Sequence, residues 1–531
     1  MIPVRRAILL AATGAAAAGS PLSAQTAERA VFLVRLGRDT LAVEIASYAA
    51  GRAQSTLRLR NPVMRIDRIL TLSPSMETKT MEMTTGAGAI GDSARTRVML
   101  TISGDSGSLT MDAPAARTPS PTQRIAVPRG AVPFTNLSGQ TLELVLRRAR
   151  AVGGDTVLVP LLLPGGPSLA VRVTYVGADS AVLSVGGADI RARTDRDGHL
   201  LGATIPGQGA FFDRLPADSP VASWMPVRAN YDAPPGAPYA AEQMTLRTPA
   251  AITVAGTLTM PAHAQGARMP AVVLITGSGA QDRDEAIPSI GNYQPFREIA
   301  DTLSRRGIAV LRLDDRGIGG TDAGPPTATT ADFADDIRAA IAWLRARADI
   351  DPSRVGLVGH SEGGIIAPMI AVTDTTVRAI VLIAGTAKTG RAISAFQRRN
   401  AVEHAAAIAP AMRDSVLRSS DRAVEALFTA PGWYHFFADY DPIPTAGRVR
   451  APTLILQGET DQQVPPEQAD ALADAVRAGG NRHVTLRTFP RLNHLLLEDA
   501  SGDPGGYGAL FSYAVRRDFL GVLADWLARM L

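Results

Sequence analysis

The sequence predicts a β-rich module followed by an α/β domain with a mostly parallel sheet, helices on both faces and a small helical cap. Three observations predict it. Short apolar runs broken by Gly, Asp, Ser and Pro fill the stretch from Gln25 to about Val227. From Glu242 onward, continuous apolar runs alternate with helix-patterned segments. Between the two lies ANYDAPPGAP, Ala229 to Pro238, with the Pro- and Ala-rich composition of a linker. The 531 residues suffice for two or three domains, here a β-rich domain over 25–227, a linker over 228–241 and an α/β domain over 242–531.

Composition excludes several classes. A hydrophobic content of 46% with 20% charged residues argues against global disorder. A net charge of +4, with no basic stripe interleaved with aromatics, argues against a nucleic-acid partner. The chain has no cysteine, so it carries no disulfide, thiol nucleophile or lipid-anchored cysteine.

Residues 1–24 read as a signal peptide. Arg5 and Arg6 form a charged start, Ala7 to Gly19 is a short apolar run, and Leu22-Ser23-Ala24 offers a cleavage site before Gln25. The run is too short to span a bilayer comfortably, and no later segment reads as a span. The expectation is an exported protein, periplasmic or secreted. The Arg pair sits in a poor twin-arginine context, so the export route stays open.

In the first half, Leu57–Arg60, Arg97–Ile102 and Ala170–Tyr175 read as strands, and Asp195-Arg196-Asp197-Gly198 as a hairpin-like turn, which together suggest a sandwich or barrel-like module. In the second half, Met244–Thr248 and Ile252–Met260 read as paired strands, and Ala271–Thr276, Ile308–Leu313, Val355–Val358, Val377–Ala384 and Thr453–Gln457 as buried ones. Helices are expected at Phe296–Arg306, Asp332–Ala348 and Gly363–Val372.

Gly359-His360-Ser361-Glu362-Gly363 falls where a strand ends and a helix begins. The G-x-S-x-G pattern is weak alone, but this position suits a nucleophile held on a strained turn above a helix N-terminus. A serine hydroxyl needs a base. Of the histidines beyond it, His404, His435, His483 and His494, only His494 follows the last strand in a free turn, and it is assigned as general base. The acid should follow the preceding strand. Asp461 in Gly458–Pro465 is preferred, with Glu459 and Asp441 as rivals. The oxyanion donors are the backbone N–H groups of Glu362, next to the serine, and of Ser278 in Thr276-Gly277-Ser278-Gly279. A dinucleotide reading of that glycine loop fails because Asp282 stands where a third glycine is needed. Asp282-Arg283-Asp284-Glu285 lacks calcium-loop spacing and reads as loop-stabilising ion pairs, as do Asp314, Asp315 and Arg316. His360 reads as a packed neighbour. No metal or cofactor is expected.

Five motifs stand in order: GSGAQDRDE (Gly277–Glu285), DDRGIGG (Asp314–Gly320), GHSEGG (Gly359–Gly364), GETDQQVP (Gly458–Pro465) and LNH (Leu492–His494). Through them the stretch from about Glu242 to Leu531 resembles the α/β-hydrolase superfamily, and within it bacterial serine esterases. The resemblance implies ester hydrolysis through an acyl-enzyme, with Ser361, Asp461 and His494 as the triad. The β-rich half lies outside it.

An insertion at about 388–448 reads as a helical cap whose Trp433-Tyr434-His435-Phe436-Phe437 either lines an acyl pocket or packs the cap onto the sheet. The expected activity is cleavage of small-molecule esters with short to medium acyl chains. A thioesterase or peptidase using the same triad is the alternative. From another class comes a β module that binds an envelope component or partner, with the hydrolase half as scaffold.

Overall fold

A computed structural model describes residues 28–531, except 37–38, 61–63, 88–94, 113–121, 164–167, 186–187, 207–208, 226–228, 263–265, 288–289, 326, 405–409 and 430. The expected signal peptide, residues 1–24, lies outside the described residues.

Among the described residues, the N-terminal strands form one 15-stranded sheet. The first strand, Glu28–Leu36, pairs antiparallel with Asp39–Ala49 on one side and with Ala210–Leu215 on the other, so two meanders meet along it. The alternation of Arg52–Leu59 puts Ala53, Ser55, Leu57 and Leu59 on the buried side. That side is covered by a helix the sequence reading did not anticipate, Gly139–Val152. Ser138 caps it, accepting from the Thr141 N–H, and Leu144, Val145, Leu146 and Ala149 enter the core. Arg68 is fully buried against the helix start, donating to Gln140 Oε1 at 2.7 Å and Thr141 Oγ1 at 2.9 Å. The start of this helix also buries the polar residues Gln140, Thr141 and Glu143 beside the apolar ones.

The second sheet has eight strands: Tyr239–Arg247, Thr253–Pro261, Met269–Ile275, Ala309–Leu313, Ile350–His360, Ile380–Ile383, Thr453–Gly458 and Val484–Phe489. Numbered along the chain, their spatial order is 1-2-4-3-5-6-7-8. The second strand runs antiparallel to its neighbours, and all other pairings beyond it are parallel. Ala309–Leu313 is buried throughout because helices cover both faces. Thr330–Arg345, Gly363–Ala371 and Glu467–Ala478 pack on one face, and Pro295–Ser304 with Arg517–Met530 on the other. The fifth strand begins earlier than its apolar run, at Ile350. The insertion after the sixth strand holds the helices Gly390–His404, Pro410–Phe428, Trp433–Asp439 and Pro442–Ala446. Among the described residues, no helix is long and apolar enough to cross a membrane.

Parallel strands deliver their carboxyl ends to one edge, where ligands bind in such sheets. Here the loops after the third and fourth strands are cross-braced by buried charge. Arg283 Nη2 and Nε meet Asp314 Oδ2 and Oδ1 at 2.6 and 3.0 Å, and Nη1 donates to Thr257 Oγ1 at 2.7 Å. Asp315 accepts from Thr276 Oγ1 at 2.7 Å and from the Gln281 N–H at 2.9 Å. Replacing Arg283 by Ala leaves the Asp314 carboxylate buried without its partner, which costs about 3–5 kcal/mol. The expected outcome is a lower urea midpoint for this domain, followed by tryptophan fluorescence. Arg283→Lys recovers only part of it, because an ammonium lacks the planar fork.

Candidate active site

The fifth strand ends at His360 and the next helix starts at Gly363, so the chain reverses within two residues. Ser361 makes that turn with φ of 52°, the left-handed region that a non-glycine residue enters at a cost of about 1–2 kcal/mol. The neighbouring glycines are required sterically. A Cβ on Gly359 would lie 2.0 Å from the Gly363 carbonyl oxygen, and one on Gly363 would lie 2.2 Å from the Ile275 carbonyl oxygen. Ser361 is left half-buried at the sheet edge, its N–H donating to the Ile383 carbonyl at 2.8 Å. Gly277 of the loop after the third strand comes so close that a Cβ there would sit 3.2 Å from the Ser361 Cβ.

Asp461 and His494 meet across the loops after the seventh and eighth strands. Asp461 Oδ2 lies 2.8 Å from His494 Nδ1. Its Oδ1 accepts the N–H groups of Gln463 and Val464, both at 2.8 Å, so the buried carboxylate is fixed in place. The turn that carries His494 is folded by its neighbour. Asn493 Oδ1 accepts from the Leu495 and Leu497 N–H groups, and Asn493 Nδ2 donates to Asp499. The rival acids are engaged elsewhere. Glu459 accepts from Thr488 Oγ1 at 2.8 Å, and Asp441 caps the Pro442–Ala446 helix. Among the other histidines, His483 is exposed beside the edge strand and His404 exposed on the cap.

Of the two expected oxyanion donors, Ser278 is exposed in the glycine loop and Glu362 precedes the first residue of the helix. Among the described residues, neither N–H has a hydrogen-bond partner. The Gly277 N–H is already taken, donating to Glu285 Oε1 at 2.7 Å.

Two features escaped the sequence reading. The first is the side chain of Glu362, which is buried and ties the elbow to the cap. Its Oε1 accepts from Thr330 Oγ1 at 2.6 Å and Trp433 Nε1 at 2.7 Å. Burial raises its carboxyl above the ordinary range, against the pull of those two donors. The second is His360, read as a packed neighbour but hydrogen-bonded through both ring nitrogens, to Glu285 and to the His494 carbonyl. No sequence signal reports either, because the partners are distant in the chain and the DRDE run looks like a solvated loop. All four of its residues are buried.

The cap aromatics divide their roles. Phe437 stacks on Trp433 at 4.8 Å and covers Gly390, packing the cap together. Trp433 and Tyr434 border a cavity of about 260 Å³ that also touches Gly277, Ile366, Phe333 and Glu362. Its polar wall holds Asp315 and the Arg316–Asp336 ion pair, in which Nε and Oδ2 are 2.6 Å apart. Burial, with the charges of Glu362 and Glu285 adding to it, raises Asp315 well above the ordinary carboxyl range.

Comparisons with known proteins agree with this architecture. The family model described as serine aminopeptidase, S33, matches residues 289–501. Esterase EstD of Thermotoga maritima is 30% identical over 235 residues, covering 43% of this chain and 55% of that protein. Esterase LipC of Mycobacterium tuberculosis is 28% identical over 202 residues, 34% of this chain and 46% of its own length. The chain thus spans about half the length of these curated relatives. A solved Pyrococcus furiosus esterase overlays on 57% of this chain and 96% of its own, at a TM-score of 0.39 and 14% identity. The sheet order, the strand–serine–helix turn and the family match together make the C-terminal half an α/β-hydrolase domain that resembles bacterial esterases.

Proposed function

We propose that the protein is an exported serine carboxylesterase acting on soluble esters with short to medium acyl chains. The observation that carries the reading is the 2.8 Å contact of Asp461 Oδ2 with His494 Nδ1, on loops bordering the edge that holds Ser361 in its strained turn. In this mechanism Asp461 fixes the tautomer that leaves His494 Nε2 unprotonated. Nε2 takes the Ser361 proton as Oγ bonds to the ester carbonyl carbon. The N–H groups of Ser278 and Glu362 hold the resulting oxyanion. The C–O bond to the alcohol then breaks, and His494 returns the proton to the leaving oxygen. Water, deprotonated by the same Nε2, attacks the acyl-enzyme and releases the acid with Ser361 restored. The cavity under Trp433 and Tyr434 receives the acyl chain, and its mainly apolar walls favour a hydrocarbon group of limited length.

A second reading has one observation in its favour. Among the described residues, Asp315 and Glu362 both face the cavity without an ion-pair partner, since Arg316 is held by Asp336. Such a wall suits a substrate with a protonated amine, and the matching family is described as serine aminopeptidase.

Three outcomes follow from these readings. Ser361→Ala should lower kcat for p-nitrophenyl butyrate by at least about 10³-fold, and Asp461→Asn by about 10³–10⁴-fold, with circular dichroism unchanged. Tyr434→Ala opens the cavity where it is already half-exposed, so the octanoate-to-butyrate ratio of kcat/KM should rise by about tenfold. Alanine p-nitroanilide should turn over far more slowly than p-nitrophenyl butyrate; the reverse order would replace the esterase reading with the aminopeptidase one.

A further inference from the structure

A Glu–His pair lies beside the proposed triad, and none of the steps above uses it. His360 and Glu285 are both buried, at 5% and 3% exposure. His360 Nδ1 is 3.0 and 3.1 Å from the two oxygens of Glu285. His360 Nε2 is 3.0 Å from the backbone carbonyl oxygen of His494, and the two imidazoles lie side by side with centroids 4.9 Å apart. Glu285 Oε1 also accepts the Gly277 N–H at 2.7 Å. One buried unit therefore touches the glycine loop, the serine elbow and the base loop.

Proton count decides its state. A backbone carbonyl only accepts, so Nε2 must carry hydrogen. An ionised carboxylate only accepts, so Nδ1 must carry one too. Both contacts are satisfied together by an imidazolium beside a carboxylate, a pair of zero net charge. Burial by itself lowers the affinity of His360 for its second proton, but the charge and hydrogen bonds of Glu285 outweigh it and raise that affinity above the ordinary histidine value. The ionisable groups facing the ring are Glu285, His494 and, at longer range, Asp461. When His360 has a single proton and Glu285 is ionised, the ring can serve Glu285 or the His494 carbonyl but not both. The contact that is lost leaves a buried acceptor unmatched, and a base displaced by about 1 Å can cost about 10²-fold in rate.

We propose that Glu285 and His360 form a positioning pair that holds His494 and the glycine loop in register with Ser361, and that the pair works only while it keeps both imidazole protons. The proposal rests on the reading of Ser361 and His494 as nucleophile and base. The sign of its pH dependence is fixed: the pair is present below the raised value of His360 and is lost as pH rises through it. Glu285→Gln keeps the shape and an acceptor for Gly277 while removing the charge, so His360 loses its second proton at lower pH, and the amide NH2 can then donate to the bare Nδ1.

The test is a pair of titrations from about pH 5 to about pH 10, on the wild-type chain, Glu285→Gln and His360→Gln. The first follows kcat and KM for p-nitrophenyl butyrate. The second follows the ring signals of the seven histidines in nitrogen-15-labelled protein, with His360 assigned by its absence in His360→Gln. In Glu285→Gln, the His360 midpoint should move to lower pH and the alkaline fall of kcat should vanish, because the amide serves Nδ1 and leaves the Nε2 hydrogen for the His494 carbonyl. In the wild type, KM should stay within about twofold as pH rises through the His360 midpoint, while kcat drops about 10–100-fold. His360→Gln should lower kcat and show no such alkaline fall. An alkaline limb or a His360 midpoint unmoved in Glu285→Gln overturns the proposal, whatever the melting temperature does. Absence of ester turnover in the wild type, or its persistence in Ser361→Ala, would instead sink the serine reading, and the His360 midpoint would still decide the state of the pair.

Discussion

The site depends on how closely the helix Gly363–Ala371 can approach the third and fifth strands. Any side chain at Gly359 or Gly363 would collide with backbone carbonyls, so helix and strand meet at main-chain contact. That approach leaves no room for a gradual turn, and Ser361 adopts φ of 52° to complete it. The local cost is offset by burying Ile365, Ile366 and Ile370 between sheet and neighbouring helices. The same turn brings Ser361 beside Gly277 and sends the Glu362 side chain under the cap to Trp433. The position of Ser361, the position of the glycine loop and the docking of the cap thus share one geometric origin.

Around this turn the loops are held by buried charge as well as by apolar residues such as Ile290, Leu492 and Leu497. Arg283 with Asp314 joins the loops after the third and fourth strands, and Arg316 with Asp336 joins the fourth-strand loop to the helix Thr330–Arg345. Glu285 with His360 reaches the elbow and base loops. Buried ion pairs are poor sources of net stability because desolvation opposes them. Their hydrogen bonds are directional, however, and hold these loops in register with one another.

Much of this was legible in the sequence, for local reasons. Continuous apolar strands such as Ala271–Thr276 mark a sheet covered on both faces, and G-H-S-E-G at a strand–helix junction marks a turn needing glycines at fixed positions. Asp461 could not be separated from Glu459 by spacing alone; the difference is that Asp461 faces inward to the Gln463 and Val464 amides while Glu459 faces out to Thr488. The links from Glu362 to Trp433 and from Glu285 to His360 join residues 71 and 75 positions apart, so no local pattern announces them. In the N-terminal half, turn signals located strands but could not reveal that all fifteen join one sheet, because pairing between the first and last strands is set by the whole chain.

The central claim is that one serine, made reactive by its neighbours, does the chemistry. The most direct measurement is to treat the full chain with a fluorophosphonate, determine the intact mass and map the adduct by peptide sequencing. The account predicts a single phosphonyl group, located on Ser361, with no labelling once the protein is unfolded. An adduct on another residue, or none on a folded chain that hydrolyses esters, would contradict it.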